Sequence, residues 1–112
     1  MSSITTHVLD TARGRPADDV AVTLSIHEGD GWREIGGART DRDGRVAEFP
    51  GAVEIAPGMY RLRFATGEYQ KSTGGESFWP HVDVVFVVAA GSGHHHVPLL
   101  LSPFGYATYR GS

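Results

Sequence analysis

Val20-Ala21-Val22-Thr23-Leu24-Ser25-Ile26-His27 alternates large apolar side chains with small or polar ones without a break. Successive side chains on an extended strand point to opposite faces. Val20, Val22, Leu24 and Ile26 therefore share one face, and Ala21, Thr23, Ser25 and His27 the other. That pattern predicts a strand with one buried face. The same period recurs on both sides of it. Tyr60, Leu62 and Phe64 alternate with Arg61, Arg63 and Ala65, and Val82, Val84, Phe86 and Val88 form a third run whose other face turns apolar at Val85 and Val87. Ile4 to Asp10, Trp32 to Thr40, Val46 to Phe49, His94 to Leu101 and Phe104 to Tyr109 bring the expectation to eight strands. Turn residues separate them: Arg13-Gly14-Arg15-Pro16, Glu28-Gly29-Asp30-Gly31, Asp41-Arg42-Asp43-Gly44 and Ala56-Pro57-Gly58. Ser102-Pro103 parts the last two strands, because proline has no N–H for a ladder. Only Gly67 to Glu76 lacks strand character and has room for one short helix, which Gly74 and Gly75 would end. Such a chain folds as a two-sheet sandwich or a barrel, and the pattern alone leaves both open.

With 112 residues the chain has length for one domain, 1–112, and one core. A formal net charge of -3 and the lack of any Lys/Arg run argue against nucleic acid as a partner. There is no cysteine, so disulfides and thiol catalysis are excluded and a reducing cytoplasm is permitted. The start MSSITTHVLD has no basic n-region, so no signal peptide is expected. The longest apolar stretch, Val84 to Ala90, is too short to span a bilayer, so no membrane partner is expected.

The chemistry gathers in three places. His94 and His96 point to one face of a strand and His95 to the other. His7 lies in the first strand on the face of Thr5 and Leu9. If the first and a late strand are neighbours, His7 and His96 meet, and two imidazoles near an arginine titrate close to neutral pH. Arg45 follows the Asp41–Gly44 turn, where a planar donor fork is held at the mouth of a strand. Tyr109-Arg110-Gly111-Ser112 closes the sequence, and Ser112 carries the terminal carboxylate if the chain stops there. His94 and His96 also have a spacing that suits zinc, although no acidic ligand accompanies them. The plainer reading favoured for His94 and His95 is a solvated strand start after Gly91-Ser92-Gly93. No GxSxG elbow and no paired carboxylates are present to support nucleophilic or two-carboxylate chemistry.

Taken together, these residues resemble the transthyretin-related family on its 5-hydroxyisourate hydrolase branch. The likeness rests on Thr6-His7-Val8-Leu9-Asp10 with Gly14 and Pro16, on Thr40-Asp41 with Asp43-Gly44-Arg45, and on Gly58-Met59-Tyr60 to Tyr69 with Phe78-Trp79-Pro80. It is strongest in the long run from His96 to Tyr106 followed by Tyr109 to Ser112. One departure is His95, where an aromatic such as tyrosine is common. The resemblance implies a transthyretin-like, all-β Greek-key sandwich of seven to eight strands with one short helix. It also implies a homotetramer, a dimer of dimers, with its sites in the channel between dimers, and a cytoplasmic location. The implied reaction is hydrolysis of 5-hydroxyisourate to 2-oxo-4-hydroxy-4-carboxy-5-ureidoimidazoline in urate breakdown, without metal or other cofactor. His7, Arg45, His96 and Ser112 would be catalytic, and His7, Arg45, Tyr109, Arg110, Gly111 and Ser112 would bind substrate. Which histidine is the general base is open at this point. The alternatives are a carrier of an aromatic ligand in the tetramer channel, a zinc-dependent hydrolase using His94 and His96, and a structural sandwich module.

Overall fold

The alternating stretches become strands of a two-sheet sandwich in the computed structural model, which describes residues 2–52 and 54–112. In chain order they are β1 (Ser3–Asp10), β2 (Arg15–Pro16), β3 (Ala21–Glu28), β4 (Gly31–Arg39), β5 (Arg45–Val46), β6 (Gly58–Phe64), α1 (Thr66–Ser72), β7 (Val82–Val88), β8 (His94–Leu101) and β9 (Tyr106–Thr108). One sheet runs β4-β3-β6-β7. The other runs β2-β1-β8-β9, with β5 also paired to β1. Pairing of β1 with β8 and of β3 with β6 skips neighbours in the sequence, as a Greek-key path requires. A sandwich, not a barrel, is the result.

The inward faces are those the period predicts. Val22, Leu24, Tyr60, Leu62, Phe64, Val82 and Val88 from one sheet meet Ile4, Val8, Val97, Leu99 and Leu101 from the other, all buried. Burying each large side chain contributes about 1.5–3 kcal/mol relative to leaving it in water. Polar groups share this interior too, Thr6 and Asp10 among them, and these two have partners. Thr6 Oγ1 donates to Val97 O at 2.6 Å. Asp10 accepts from Tyr69 Oη at 2.8 Å and from the backbone N–H groups of Ala12 and Arg13. Burial and the adjacent Asp10 push the Tyr69 phenol above its ordinary pKa, so it stays a donor.

Four expectations change. Arg15–Pro16, read as part of a turn, pairs with Leu9–Asp10 as β2. The expected strand Val46 to Phe49 shrinks to Arg45–Val46, because Phe49 turns inward and its carbonyl accepts from Ala52 N. His95, expected at a solvated strand start, is 3% exposed: Nδ1 donates to Gly93 O and Nε2 bonds Ser92 Oγ. The expected strand Phe104 to Tyr109 is also trimmed, to Tyr106–Thr108. Here the cause is Pro98. The register Leu99↔Thr108 would next place Tyr109 opposite Pro98, which has no N–H to give; the ladder resumes at His96↔Gly111, where Gly111 N donates to His96 O at 2.8 Å. Among the described residues no helix is long and apolar enough to cross a membrane.

Candidate active site

The parallel ladder of β1 and β8 decides what meets on the outer face. Inward Ile4, Thr6 and Val8 leave Thr5, His7 and Leu9 outward; inward His95, Val97 and Leu99 leave His94 and His96 outward. The register sets Ser3 opposite His94 and Thr5 opposite His96. On the other side of β1, β5 places Arg45 opposite His7. Three segments far apart in sequence thus bring His7, Arg45, His94 and His96 onto one face.

Each residue is held by backbone chemistry. The turn before β5 closes through Asp41, whose carboxylate accepts from Asp43 N and Arg45 N, both at 2.9 Å. Gly44 takes φ 77° there, a conformation that favours glycine, and its carbonyl accepts from Val8 N. Arg45 is therefore positioned by its main chain while its side chain is exposed, and among the described residues it forms no ion pair. His7 Nε2 donates to Asp43 O at 2.9 Å. A carbonyl only accepts, so Nε2 carries the proton and Nδ1 is the unprotonated nitrogen of the neutral ring.

His96 is half-buried. Its Nδ1 bonds Thr5 Oγ1 at 2.8 Å, and Nε2 bonds no protein group among the described residues. Gly111 lies under the ring: a Cβ there would sit 2.6 Å from His96 Cδ2. Burial is the main force lowering the His96 pKa below the ordinary histidine range, and the positive charges of Arg45, His94 and His7 add to it. The ring is neutral at neutral pH, which leaves a lone pair for a proton.

A cleft of about 280 Å3 opens over this face, lined by Thr5, Arg45, Val46, His94, His96 and Ser112 among others. That volume is at the small end for ligand sites and suits a compact polar ring. A larger cavity of about 410 Å3 near Ile4, Leu24, Phe49 and Ile55 contains no histidine or arginine. The tail divides. Gly111 and Ser112 reach the histidines, whereas Tyr109 and Arg110 lie beside Val85, Val87 and Val97 along the β7–β9 side of the sandwich. Thr5 is a polar member of the face that reading by motif passed over. The signal for Thr5 was present in the period, since it shares a face with His7. His94 is, as expected, an exposed residue at the start of β8, and its Nε2 bonds the same Thr5 hydroxyl at 3.0 Å. Among the described residues no three His, Cys, Asp or Glu side chains are grouped to hold a metal ion.

Known proteins share this fold and much of this sequence. The model of the HIUase/Transthyretin family matches residues 4–111. The 5-hydroxyisourate hydrolase of Mus musculus is 47% identical over 99% of this chain and 96% of its own length. That of Caulobacter vibrioides is 47% identical with 100% of both chains covered. Among solved structures, Klebsiella pneumoniae 5-hydroxyisourate hydrolase superposes with a TM-score of 0.88 at 38% identity, covering 100% of each chain. Sea bream transthyretin, solved in complex with thyroxine, superposes with 0.90 at 32% identity over 97% of this chain and 94% of its own. One backbone therefore serves both a hydrolase and a thyroxine-binding protein. On the match over residues 4–111 and these identities, the chain belongs to the HIUase/Transthyretin family.

Proposed function

We propose that the protein hydrolyses 5-hydroxyisourate to 2-oxo-4-hydroxy-4-carboxy-5-ureidoimidazoline. The observation that carries this reading is the outer face of β1, β5 and β8, where a neutral His96 and an unpaired Arg45 line one small cleft. A carrier of a hydrophobic aromatic ligand has no use for an unpaired guanidinium beside two imidazoles, because desolvating them is costly without polar partners.

His96 is the general base in this reading, since it lines the cleft with Arg45 and burial keeps its ring neutral, whereas His7 is not among the cleft's lining residues. It takes a proton from water, which attacks the ring carbonyl; such assistance contributes roughly 10²–10⁴-fold. Arg45 holds the substrate oxygens and stabilises the charge that develops on them, an effect of about 2.7–4 kcal/mol for a donor so placed. His7 offers Nδ1 to orient the water. Ser112 closes the cleft over His96. The residues supply acid, base and charge stabilisation themselves, so the proposed step uses no metal, and activity is expected to survive a chelator in a direct assay.

We further propose a homotetramer, a dimer of dimers, with the sites between dimers, and a cytoplasmic location. The unpaired edges support assembly: β7 and β9 end their sheets side by side, and β7 presents Val85 and Val87 at 51% and 69% exposure. In such an assembly Tyr109 and Arg110 would bind substrate from a neighbouring subunit. Deleting residues 109–112 is expected to abolish turnover with little change in melting temperature, measured by substrate absorbance and calorimetry. A truncated protein with full turnover would remove the tail from the mechanism.

A further inference from the structure

The ladder that carries His96 also carries a hydrogen-bond chain that a base acting alone does not need. Ser3 Oγ lies 2.7 Å from His94 Nδ1, His94 Nε2 lies 3.0 Å from Thr5 Oγ1, and Thr5 Oγ1 lies 2.8 Å from His96 Nδ1. The β1–β8 register builds it, because Ser3 faces His94 and Thr5 faces His96. The two imidazoles lie almost parallel, with centroids 6.3 Å apart and planes at 13°, and the single Thr5 hydroxyl bridges them.

A hydroxyl has one proton. When Thr5 donates to one ring it must accept from the other. The chain therefore has two consistent proton orders. In the first, His96 Nδ1–H donates to Thr5, Thr5 donates to His94 Nε2, and His94 Nδ1–H donates to Ser3; His96 Nε2 is bare. In the second every donor is reversed, and His96 Nε2 bears the proton. The first order suits a general base and the second a general acid.

We propose that Thr5 and His94 are positioning residues that let His96 pass from base to acid without holding the positive charge. The proposal rests on the hydrolase reading above. As His96 Nε2 takes a proton from water, its Nδ1–H moves to Thr5 Oγ1 and the former Thr5 proton moves to His94 Nε2. One N–H forms at each Nε2, the Nδ1–H bond of His96 breaks, and the Thr5 hydroxyl is restored. The charge then resides on His94, which is exposed. Reversal returns a proton to His96 Nδ1 as the Nε2–H passes to the departing nitrogen. The surroundings favour this direction. His96 is half-buried and shares its cleft with Arg45 from β5, and His7 from β1 is near enough for its charge to act on the ring, while among the described residues no Asp or Glu side chain lines the cleft. Burial and these cations hold the His96 pKa low.

Thr5→Val keeps the shape and removes the bridge; Thr5→Ser restores the hydroxyl. The expected result is a loss of about tenfold or more in kcat for Thr5→Val, with KM little changed, and recovery in Thr5→Ser. Side-chain 15N spectra of the substrate-free protein should show a changed His96 tautomer balance in Thr5→Val and normal balance in Thr5→Ser. His94→Phe, which keeps a stacked ring, should repeat both effects and serves if Thr5→Val does not assemble. Wild-type kcat in Thr5→Val, or unchanged His96 ring nitrogens in Thr5→Val or His94→Phe, would overturn the proposal. A wild-type protein without turnover contradicts the hydrolase reading instead, and the spectra still decide the coupling because they need no substrate.

Discussion

The two sheets of the sandwich are alike in their inner faces and opposite in their outer ones. On β4-β3-β6-β7 the charges answer one another. Arg63 forms a two-pronged pair with Asp83 across β6 and β7, at 2.7 and 2.9 Å. Arg33 pairs in the same way with Glu28, and Arg61 lies 4.7 Å over the Trp32 ring. On the outer face of β1, β5 and β8 the cationic and titratable groups lie together, and among the described residues no acidic side chain joins them and Arg45 has no ion-pair partner. A folded chain gains nothing by gathering an arginine and three histidines without a counter-charge. The first sheet shows charge arranged for the fold; the second shows charge left over for a ligand.

Substitutions can break this contrast. The largest effect is expected at His96, where His96→Ala should lose roughly 10²–10⁴-fold in turnover with assembly intact, read by substrate decay and by mass. Arg45→Ala should lose about 10²–10³-fold. Equal activity in either would remove it from the mechanism. Gly111→Ala comes next. The added Cβ must displace the His96 ring, and a shift of about 1 Å in a positioned group can cost 10²-fold; a crystal structure with an unmoved ring would refute that cause. Arg63→Ala, in the other sheet, should leave turnover unchanged and cost under about 1 kcal/mol of stability, since exposed ion pairs are weak.

pH sharpens the same contrast. The native His96 pKa is depressed, so the unfolded chain binds more protons just below the unfolded value near 6.5. This group's contribution to stability is complete above that value and is lost as pH falls through the native pKa. The acid limb of kcat/KM should accordingly lie below the ordinary histidine range, because the free protein's base must be neutral. Asp83 behaves as a depressed carboxylate, chiefly through its hydrogen bond from Arg63, and its contribution fades only in more acidic solution. A limb at or above the ordinary histidine value would contradict the account of His96.

Much of the fold was readable because period-2 runs map directly onto buried faces: Ile4–Asp10 and His94–Leu101 read as strands before any contact is known. Where side chains do not alternate, the reading failed. Arg15–Pro16 pairs through its backbone alone, and Pro98 cuts β9 short from the opposite strand. The site followed the same division. His7, Arg45 and His96 were visible as residue types at marked positions. The Thr5 bridge to His94 was not, because it depends on which residue of β1 faces which residue of β8, and register across 91 positions is not written in either strand alone. His95 was misplaced because its neighbours suggested solvent, while strand parity sends it inward.

The most direct test is the absorbance decay of freshly generated 5-hydroxyisourate, followed with wild-type protein and with His96→Gln side by side. The account predicts rapid decay with wild type and near-spontaneous decay with the variant. Equal acceleration by both, or by neither, would contradict it.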